Sequence, residues 1–538
     1  MNLRFRILAI FFLEDIGKLE IKQWAKTYES MKMKFIISAL LAGVLLSACV
    51  KDDGNYDYRD LETVTPGEVS GIEKFYNVSS LYNLRITPQV SRITDDDQYD
   101  YYWVVWGIGA NRTNWKDTIG RAKNLDYIVN LSSGLYELTF QAKNKATGVS
   151  VYNIADMTVA SLYSEGWYIT KTENNTTDID LVKKDGKTLY ANILQSVNGE
   201  GLPGEAVKSF YQSSMYTHQQ ENPDGTVTNL SNQKVMYVMS KGDMRVYNAD
   251  NMKLFKHYEE AFFEVPAVRA PQDAYIGVSG QFLVNNGKIH WIGLSGAVGK
   301  FGYPVLGNYE AAPFNMGSMN QGMLIFDKVS SSFKGIPYRN SNLVNLVSAE
   351  GQQDCNDMNC DLVFMDEQTA YYGVTKGGIA LLKNKDKEEY YGAMLNTNWA
   401  SGKNPFVNFV TVPATCSVGK CKVFATNCTN DVLYFSEGGN TLSMYNVSNG
   451  LEKKDILTYP ANESVAYIRH VSYVTYNAGD ASLDCLAVLT NSANGWKVYL
   501  YRFLGKTPDV ETPHYLDFSG KGTGKNVFFR GLSAYEIN

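Results

Sequence analysis

Short runs of alternating apolar and polar residues dominate residues 67–161. The run 99–106 is the clearest, since Tyr101, Trp103 and Val105 would share one face of a strand whose side chains alternate. Turn-forming residues separate it from its neighbours, which favours an immunoglobulin-type β-sandwich with Trp103 in the core. The predicted strands lie at 84–88, 99–106, 125–129, 134–142, 149–152 and 157–159.

The remainder, 162–538, continues as apolar strand-like clusters, and no long amphipathic helix is predicted there. The clusters recur roughly every 35–65 residues, which is the spacing of propeller blades with long loops. Residues 244–251 resemble residues 442–449, and both segments are predicted to be a strand followed by an Asn-rich turn. A β-propeller of this length would have about six to eight blades, and two stacked β-sandwiches are the alternative. The clusters lie at 167–170, 235–239, 289–292, 323–326, 370–374, 432–435 and 498–501.

The apolar segment 527–532 lies near the end of the sequence, where chains usually fray. A ring closed by the pairing of distant segments has no exposed sheet edge, and this would explain such an apolar terminal strand. We therefore predict an all-β protein in which a sandwich (67–161) precedes a β-propeller (162–538). The last strand is predicted to complete the first or the last blade.

A short apolar segment near the N-terminus, 35–48, follows two lysines and ends directly before Cys49. It is too short to span a bilayer, but it has the basic start, apolar core and small residues of a secretory signal. Residues 46–49 (LSAC) resemble the lipobox of bacterial lipoproteins, in which Cys49 would be acylated. An ordinary signal peptide with a chance cysteine is the alternative. We expect translation to start at Met31 or Met33, so that residues 1–48 are an upstream extension and a signal peptide.

The residues behind Cys49 predict the destination of the lipoprotein. Lys51, Asp52 and Asp53 resemble the acidic export signal that sends some Gram-negative lipoproteins to the outer leaflet of the outer membrane, and a solvated spacer is the alternative. Residues 49–66 are predicted to be a polar, lipid-anchored tether. We therefore expect a surface-exposed protein that several acyl chains hold in the outer membrane.

Composition and motifs mainly exclude classes of protein and kinds of site. With 44% hydrophobic and 20% charged residues among 538, the chain is not a disordered one. Its net charge of −6 gives no broad basic face for nucleic acid. The loop 519–526 lacks the glycine spacing of a phosphate loop, and no nucleophile elbow or His-Glu-x-x-His pair is found. Asp95 to Asp97 do not follow the calcium-loop pattern, so no metal or cofactor is predicted.

The mature chain carries a family resemblance. The lipobox, the Gly-Asn-Tyr-Asp-Tyr run at 54–58, the tyrosine-rich strand around Trp103 and the Gly-Trp-Tyr-Ile run at 166–169 together resemble the PKD-like family of bacterial surface lipoproteins. The resemblance implies an accessory role beside a TonB-dependent transporter and its substrate-binding lipoprotein in a starch-utilisation-type uptake system. It implies no catalytic residues.

Six cysteines follow Cys49, and export to an oxidising space favours disulfides among them. Cys416 and Cys421 lie between two predicted strands, and a hairpin there would bring their Cβ atoms to bonding distance. Six cysteines allow many pairings, so the others stay unassigned. A metal site built on Cys355, Asp357 and Cys360 is the weaker alternative, since no histidine lies nearby in sequence. The disulfide candidates are Cys355, Cys360, Cys416, Cys421, Cys428 and Cys485.

Two tryptophans in polar, turn-rich stretches are the candidate ligand-binding residues. Trp115 and Trp399 would be costly to expose unless a sugar ring or an aromatic ligand stacks on them. The alternative, which the usual burial of tryptophan favours, is a loop residue folded back onto a sheet.

Three functions remain open. The first is a non-catalytic, surface-anchored lipoprotein that binds a glycan or a peptide for nutrient uptake. The second is a glycan hydrolase or lyase on the propeller, supported by fold analogy alone. The third is a structural protein of the cell surface. Clustered carboxylates or an Arg-rich pocket on the propeller axis would favour the enzyme, and a shallow aromatic platform would favour binding.

Overall fold

The structure, a computed structural model, describes residues 67–531 apart from residues 81 and 132 and the segments 109–115, 223–224, 278–279, 294–297, 319–320, 338–341, 371–373 and 474–482. The described residues belong to one compact unit. None of the described helices is long and apolar enough to cross a membrane. Cys49, Lys51, Asp52, Asp53 and Trp115 lie outside the described residues, so their predicted roles stay predictions.

The described N-terminal part is a sandwich built around one core. A five-stranded sheet of order β2-β9-β8-β5-β6 packs against the pairs β3-β7 and β1-β4. All pairings are antiparallel except β2 with β9. Trp103 is fully buried in this core, as the sequence pattern predicts. The strands are β1 (Val69–Ser70), β2 (Phe75–Ser79), β3 (Asn83–Ile86), β4 (Gln89–Val90), β5 (Tyr99–Ile108), β6 (Lys116–Gly120), β7 (Leu125–Ile128), β8 (Gly134–Asn144) and β9 (Ser150–Ala160).

Seven further sheets in the described residues form the blades of a propeller, and most have four antiparallel strands. Blade 1 contains β10 (Gly166–Glu173), β11 (Thr176–Val182), β12 (Leu189–Tyr190), β13 (Leu202–Pro203) and β37 (Thr523–Arg530); blade 2 contains β14 (Ala206–Glu221), β15 (Val227–Ser240), β16 (Asp243–Asn248) and β17 (Leu254–Lys256); blade 3 contains β18 (Pro271–Gly277), β19 (Gly280–Asn285) and β20 (Lys288–Gly293).

Blades 4 to 7 follow the same order along the chain. Blade 4 contains β21 (Ala311–Ser318), β22 (Gln321–Asp327), β23 (Ser332–Ile336) and β24 (Val344–Asn345), and blade 5 contains β25 (Cys360–Ala370), β26 (Val374–Asn384), β27 (Tyr390–Leu395) and β28 (Phe406–Thr411). Blade 6 contains β29 (Val423–Thr426), β30 (Val432–Ser436), β31 (Thr441–Asn446) and β32 (Leu451–Thr458). Blade 7 contains β33 (Ser464–Tyr473), β34 (Leu483–Ser492), β35 (Gly495–Arg502) and β36 (Leu516–Gly520).

Helical structure is scarce in the described residues. The helix α1 (Ile193–Asn198) begins beside Asp178, whose carboxylate accepts the backbone N–H groups of Leu194 at 2.8 Å and Gln195 at 3.0 Å. These bonds satisfy donors that a helix start leaves free. Single 3₁₀ turns lie at Asp96–Gln98, Glu259–Ala261, Asn398–Ser401 and Val418–Lys420.

The ring is closed by a strand that is distant in sequence. β37 pairs antiparallel with β10, with Trp167 opposite Phe529 and Tyr168 opposite Phe528. β37 therefore supplies the innermost strand of blade 1, which confirms that the last apolar segment completes a blade. The two similar segments also fall as predicted, because they span β16 and β31, the third strands of blades 2 and 6.

One predicted strand is wrong. The apolar cluster 370–374 is not a single strand, since β25 ends at Ala370 and β26 begins at Val374. The two strands pair with each other across this connection, with Ala370 opposite Val374. An apolar cluster at a hairpin connection is indistinguishable from a short buried strand by composition alone.

The propeller core lies between blades rather than within them. Apart from the sandwich core, the described residues contain seven apolar clusters, and each joins two adjacent blades. Strand β30 shows how this works: Val432 and Tyr434 enter the seam with blade 7, while Leu433 and Phe435 enter the seam with blade 5. Each blade therefore buries both of its faces.

Sandwich and propeller meet at a junction cluster centred on Asp250, in the turn between β16 and β17. Its carboxylate accepts the backbone N–H of Ser133 from the sandwich at 3.0 Å and a hydrogen bond from Arg530 of β37 at 2.8 Å. Arg530 also donates to the carbonyl of Tyr163 between the two parts at 2.8 Å, and Lys234 of blade 2 donates to the Ser133 hydroxyl at 3.0 Å. Arg530 is fully buried. One cluster thus ties the sandwich, the connecting segment and the closing strand to blade 2.

Candidate functional site

A cavity of about 540 Å³ is lined by the innermost strand of every blade, and it is therefore the axial channel of the propeller. Its volume is in the range of sites that hold small organic ligands. Each of the seven inner strands contributes at least one polar side chain to the lining. These seven residues, the axial ring, are Lys208, Asp273, Asn315, Asp366, Thr426, Arg469 and Asn526.

One part of the axial ring is a closed triad from blades 2, 3 and 4. The Lys208 Nζ lies 2.6 Å from one carboxylate oxygen of Asp273, and the Asn315 amide donates to the other oxygen. Burial alone would lower the pKa of Lys208, but attraction to and hydrogen bonding with Asp273 outweigh it, so that pKa is raised. Asp273 therefore has a donor on each oxygen.

Asp366 of blade 5 occupies a different environment. Burial raises the pKa of its carboxyl group, and the nearby positive charges of Arg469 and Lys208 oppose this shift only in part. One oxygen accepts the Glu367 backbone N–H at 2.9 Å, and the other accepts the Thr426 hydroxyl at 3.3 Å. The group is held in place by neutral donors and has no cation in direct contact among the described residues.

Arg469 of blade 7 lines the same cavity. Burial opposes its charge, but the Tyr467 hydroxyl, which is also hydrogen-bonded to it, and the Asp366 carboxylate outweigh burial, so the pKa of Arg469 is raised. No carboxylate of the described residues lies within the 4.0 Å of an ion pair with its guanidinium. Most of its five N–H donors therefore remain available.

Apolar surface flanks the polar groups on one side of the channel. Phe314, Phe364 and Phe424 come from blades 4, 5 and 6, with ring centroids 5.7 Å apart for the first pair and 5.2 Å for the second. This phenylalanine row gives the cavity an apolar wall beside the charged groups of Asp366 and Arg469. The channel can therefore hold a ligand that has both polar and apolar faces.

The remaining polar residue, Asn526, joins two blades. Its side chain accepts the backbone N–H of Ser209 at 3.2 Å and donates to the Ser209 carbonyl at 3.1 Å. The two bonds fix β37 against β14 where blade 1 meets blade 2. Asn526 is thus a structural member of the axial ring.

Cys428 and His470 lie beside the cavity without forming a nucleophile and base pair. His470 accepts the backbone N–H of Cys428 through Nδ1 at 3.0 Å, and its Nε2 lies 2.8 Å from Asp484. The Cys428 thiol faces the His470 carbonyl rather than the ring, and burial raises the pKa of this thiol to about 12. A thiol that stays protonated at neutral pH is a poor nucleophile.

All six cysteines of the described residues are free thiols. The hairpin expected around Cys416 and Cys421 is wrong, because β28 is the outer strand of blade 5 while β29 is the inner strand of blade 6. Eleven residues of loop and 3₁₀ turn, 412–422, lie there instead, and the Cys421 thiol faces the Ser417 carbonyl at 3.3 Å. The predicted Cys416–Cys421 disulfide is therefore not formed in this structure. Cys355, Cys360, Cys428 and Cys485 are likewise unpaired and buried.

The metal alternative receives no geometric support in the described segments, where no group of three His, Cys, Asp or Glu side chains could hold an ion. Cys355 and Cys360 pack in the seam between blades 4 and 5. Asp96, from the acidic run of the sandwich, instead pairs with Lys123 at 2.8 Å and accepts the Tyr101 hydroxyl at 2.7 Å.

Trp399 is not a ligand-binding residue. Its side chain is fully buried in the seam between blades 4 and 5, against Leu395 and Phe406. The 3₁₀ turn Asn398–Ser401 carries polar residues towards solvent and its tryptophan inwards, so the polar flanks concealed a core residue. The alternative interpretation of a loop residue folded onto a sheet is the right one.

The outer face of the five-stranded sandwich sheet carries exposed aromatic and aliphatic side chains. Trp106 on β5, Tyr152 and Ile154 on β9 and Phe75 on β2 are all more than one third exposed. Lys116 lies over the Trp106 ring at 5.4 Å, which covers part of this ring. These exposed side chains lie on the sandwich and not on the propeller.

The geometry defines an all-β protein with an N-terminal sandwich and a closed seven-bladed propeller whose axial channel can accept a ligand. Residues 49–206 match the model of the PKD-like family, so the resemblance is confirmed over this part of the chain. The match extends past the sandwich, through blade 1, to the first residue of β14.

Solved structures similar to the chain have propeller-like folds. A quinonprotein alcohol dehydrogenase-like protein from Bacteroides thetaiotaomicron is 13% identical over 85% of this chain and 97% of its own, with a TM-score of 0.37. The dihydro-heme d1 dehydrogenase NirN is 10% identical over 69% and 76%, with a TM-score of 0.38. YCF48 from Cyanidioschyzon merolae is 9% identical over 62% and 94%, with a TM-score of 0.32. No curated protein matches the chain. At these scores the fold assignment rests on the sheets of this chain alone.

Proposed function

We propose that this protein is a lipid-anchored, surface-exposed outer-membrane lipoprotein that binds a small glycan or peptide as a non-catalytic accessory of a starch-utilisation-type uptake system. The axial channel carries this proposal: it is large enough for a small ligand and has polar and apolar walls, and its aspartates are already hydrogen-bonded by the protein. Carboxylates held in this way can recognise polar groups of a ligand without transferring a proton.

The N-terminal sequence supports the location. The lipobox-like residues before Cys49 and the acidic residues Asp52 and Asp53 favour acylation and export to the cell surface. Cys49→Ala should release the protein from the membrane fraction, because acylation needs the thiol. Retention of the variant in the membrane fraction would contradict the lipoprotein assignment. Protease treatment of intact cells then tests surface exposure of the unaltered protein.

A glycan and peptide binding screen on the purified protein tests ligand binding. The matched variant is Lys208→Met with Asp273→Asn, which removes one ion pair of the channel as a unit and leaves neither partner as an unpaired charge. Binding should be lost in this variant and kept in Arg85→Met with Asp126→Asn, which removes an exposed ion pair of the sandwich. Equal binding by both variants would show that this ion pair takes no part in holding the ligand.

A glycan hydrolase or lyase is the second candidate, and Asp366 is the observation that favours it. A half-buried carboxyl group whose pKa is raised, close to an arginine in a cavity, is typical of a general acid. Asp273 is the only other aspartate of the axial ring, and both of its oxygens are occupied. Release of reducing or unsaturated ends from glycans by the purified protein, abolished by Asp366→Asn, would establish the enzyme instead.

A further inference from the structure

The two cations of the axial ring differ in what they contact, and this difference identifies the chemistry of the ligand. Lys208 is neutralised by Asp273, which is itself completed by Asn315. Arg469 lines the same cavity and has a hydrogen bond with Tyr467, but no ion pair with any described carboxylate. A guanidinium has planar, paired donors that match a carboxylate in a bidentate arrangement.

Asp366 lies on the inner strand of blade 5 and Arg469 on the inner strand of blade 7, with Thr426 of blade 6 between them. Each carries a charge that influences the pKa of the other, yet the two groups are too far apart for an ion pair. A molecule seated between them could therefore contact both. The phenylalanine row beside them offers van der Waals contact to an apolar face of the same molecule.

From this arrangement, and building on the proposed binding function, we infer that Arg469 binds a carboxylate of the ligand while Asp366 accepts a hydrogen bond from a hydroxyl or ammonium group of the same ligand. Two kinds of molecule carry this chemistry. A uronic acid sugar has a carboxylate, hydroxyl groups and a C–H face for the phenylalanines, and a short peptide has a terminal carboxylate and an ammonium group. The shared requirement is the carboxylate.

The test is calorimetric titration of the purified full chain with four probes: trigalacturonate, its methyl ester, trialanine and trialanine amide. We expect at least one of the two acids to bind, and its neutral counterpart to bind about 30-fold more weakly or worse. The acid that binds distinguishes the sugar from the peptide source. Arg469→Met should abolish the preference for the acid, and Arg469→Lys should retain only part of it, because lysine keeps the charge without the paired donors.

Arg502→Met is the matched control, since Arg502 is an exposed arginine of the same blade that stacks on Tyr515 away from the channel. It should bind as the unaltered protein does, and thermal melting of all variants confirms folding. If Arg469→Met does not fold, the Arg469→Lys variant decides.

The inference is overturned if the ester or the amide binds as tightly as the acid, or if the Arg469 variants keep the full preference for the acid. It is also overturned, while the proposed function stands, if none of the four probes binds but the screen finds a neutral ligand. Absence of any ligand in either experiment overturns both.

Discussion

The sandwich and the propeller of this protein are both all-β, but they bury their apolar residues in different ways. The sandwich has one core, and its strands expose the alternate residues: Phe140 is fully buried on β8, while the neighbouring Thr139 and Gln141 are half-buried on the other face. The propeller has a core in each of its seven seams, and its central strands are buried on both faces, as in β19 and β30. A sandwich is thus locally complete, whereas a blade is complete only between two neighbours.

The largest effect should come from removing the closing strand. Deletion of residues 523–538 takes Val527, Phe528 and Phe529 out of two seams and leaves β10 without its inner partner. We expect the whole propeller to lose its cooperative fold, while residues 67–161 stay folded around their own core. Limited proteolysis beside the full chain measures this. A resistant fragment that spans 162–522 would show that β37 is dispensable.

Truncation of one core tryptophan in each part compares local with shared burial. Trp103→Ala and Trp399→Ala each remove a fully buried side chain, and each should cost about 4 kcal/mol of unfolding free energy. Native-state hydrogen exchange should show faster exchange only in the sandwich for Trp103→Ala, but in several blades for Trp399→Ala. Equal spread of both effects through the chain would mean that the two parts unfold as one unit.

The junction cluster connects the sandwich to the propeller, so a change there can affect the stability of both parts. Arg530→Met removes one of the two cations that act on Asp250, and it should cost about 3 kcal/mol, because it breaks an ion pair whose arginine is fully buried. The exposed pair of Arg85 with Asp126 is the control, and Arg85→Met should cost less than about 1 kcal/mol. Urea unfolding of the three proteins measures the difference. Equal midpoints for both variants would show that the junction cluster contributes nothing to stability.

The smallest effects concern the pH dependence of the unfolding free energy, to which Asp366 and Asp250 should contribute in opposite directions. Burial raises the pKa of Asp366, so the folded state binds this proton more tightly than the unfolded state does. The unfolding free energy therefore grows as the pH falls from the folded pKa of this group towards its unfolded pKa of about 4. Burial would also raise the pKa of Asp250, but Lys234 and Arg530 outweigh it and lower the pKa. Its contribution is complete above about pH 4 and is lost as pH falls through the lower folded pKa.

Accordingly, Asp366→Asn should be slightly more stable than the unaltered protein at pH 7, and Asp250→Asn should be less stable. Both differences should shrink as the pH is lowered to about 3, where the unfolded carboxyl groups are protonated. Urea midpoints at several pH values measure them, with Asp126→Asn as the exposed control. A loss of stability at pH 7 in Asp366→Asn would mean that this carboxylate supports the fold.

The contrast between the two parts also explains what could be predicted from sequence. Alternation in β5 placed Trp103 in the sandwich core, because one face of that strand is more polar than the other. In the propeller, Leu433 and Tyr434 are both fully buried in different seams, so alternation disappears, and the fold was predicted from the recurrence of clusters and the similarity of 244–251 to 442–449. That similarity is structural: Asn248 and Asn446 each accept two backbone N–H groups of the turn that follows.

The axial ring could not be predicted in the same way. Its members are single polar residues in strands spread from Lys208 to Asn526, and only the closed ring brings them together. The available signal was a charged residue directly after a four-residue run of apolar and aromatic residues in an inner strand, as with Asp366 in β25 and Arg469 in β33. The prediction that Trp399 binds a ligand failed for a related reason. Its polar neighbours in sequence face solvent, while its indole packs in a seam with residues more than fifty positions away.

The position of β37 has a consequence for biogenesis. During synthesis the chain emerges from its N-terminus, so the sandwich and β10 are complete long before the strand that pairs with β10 exists. Until then, the inner edge of blade 1 stays open, and the ring cannot close however many other blades have formed. The largest part of the protein therefore stays unfinished until the chain is complete, and the open edge of blade 1 needs protection from unrelated strands during that interval.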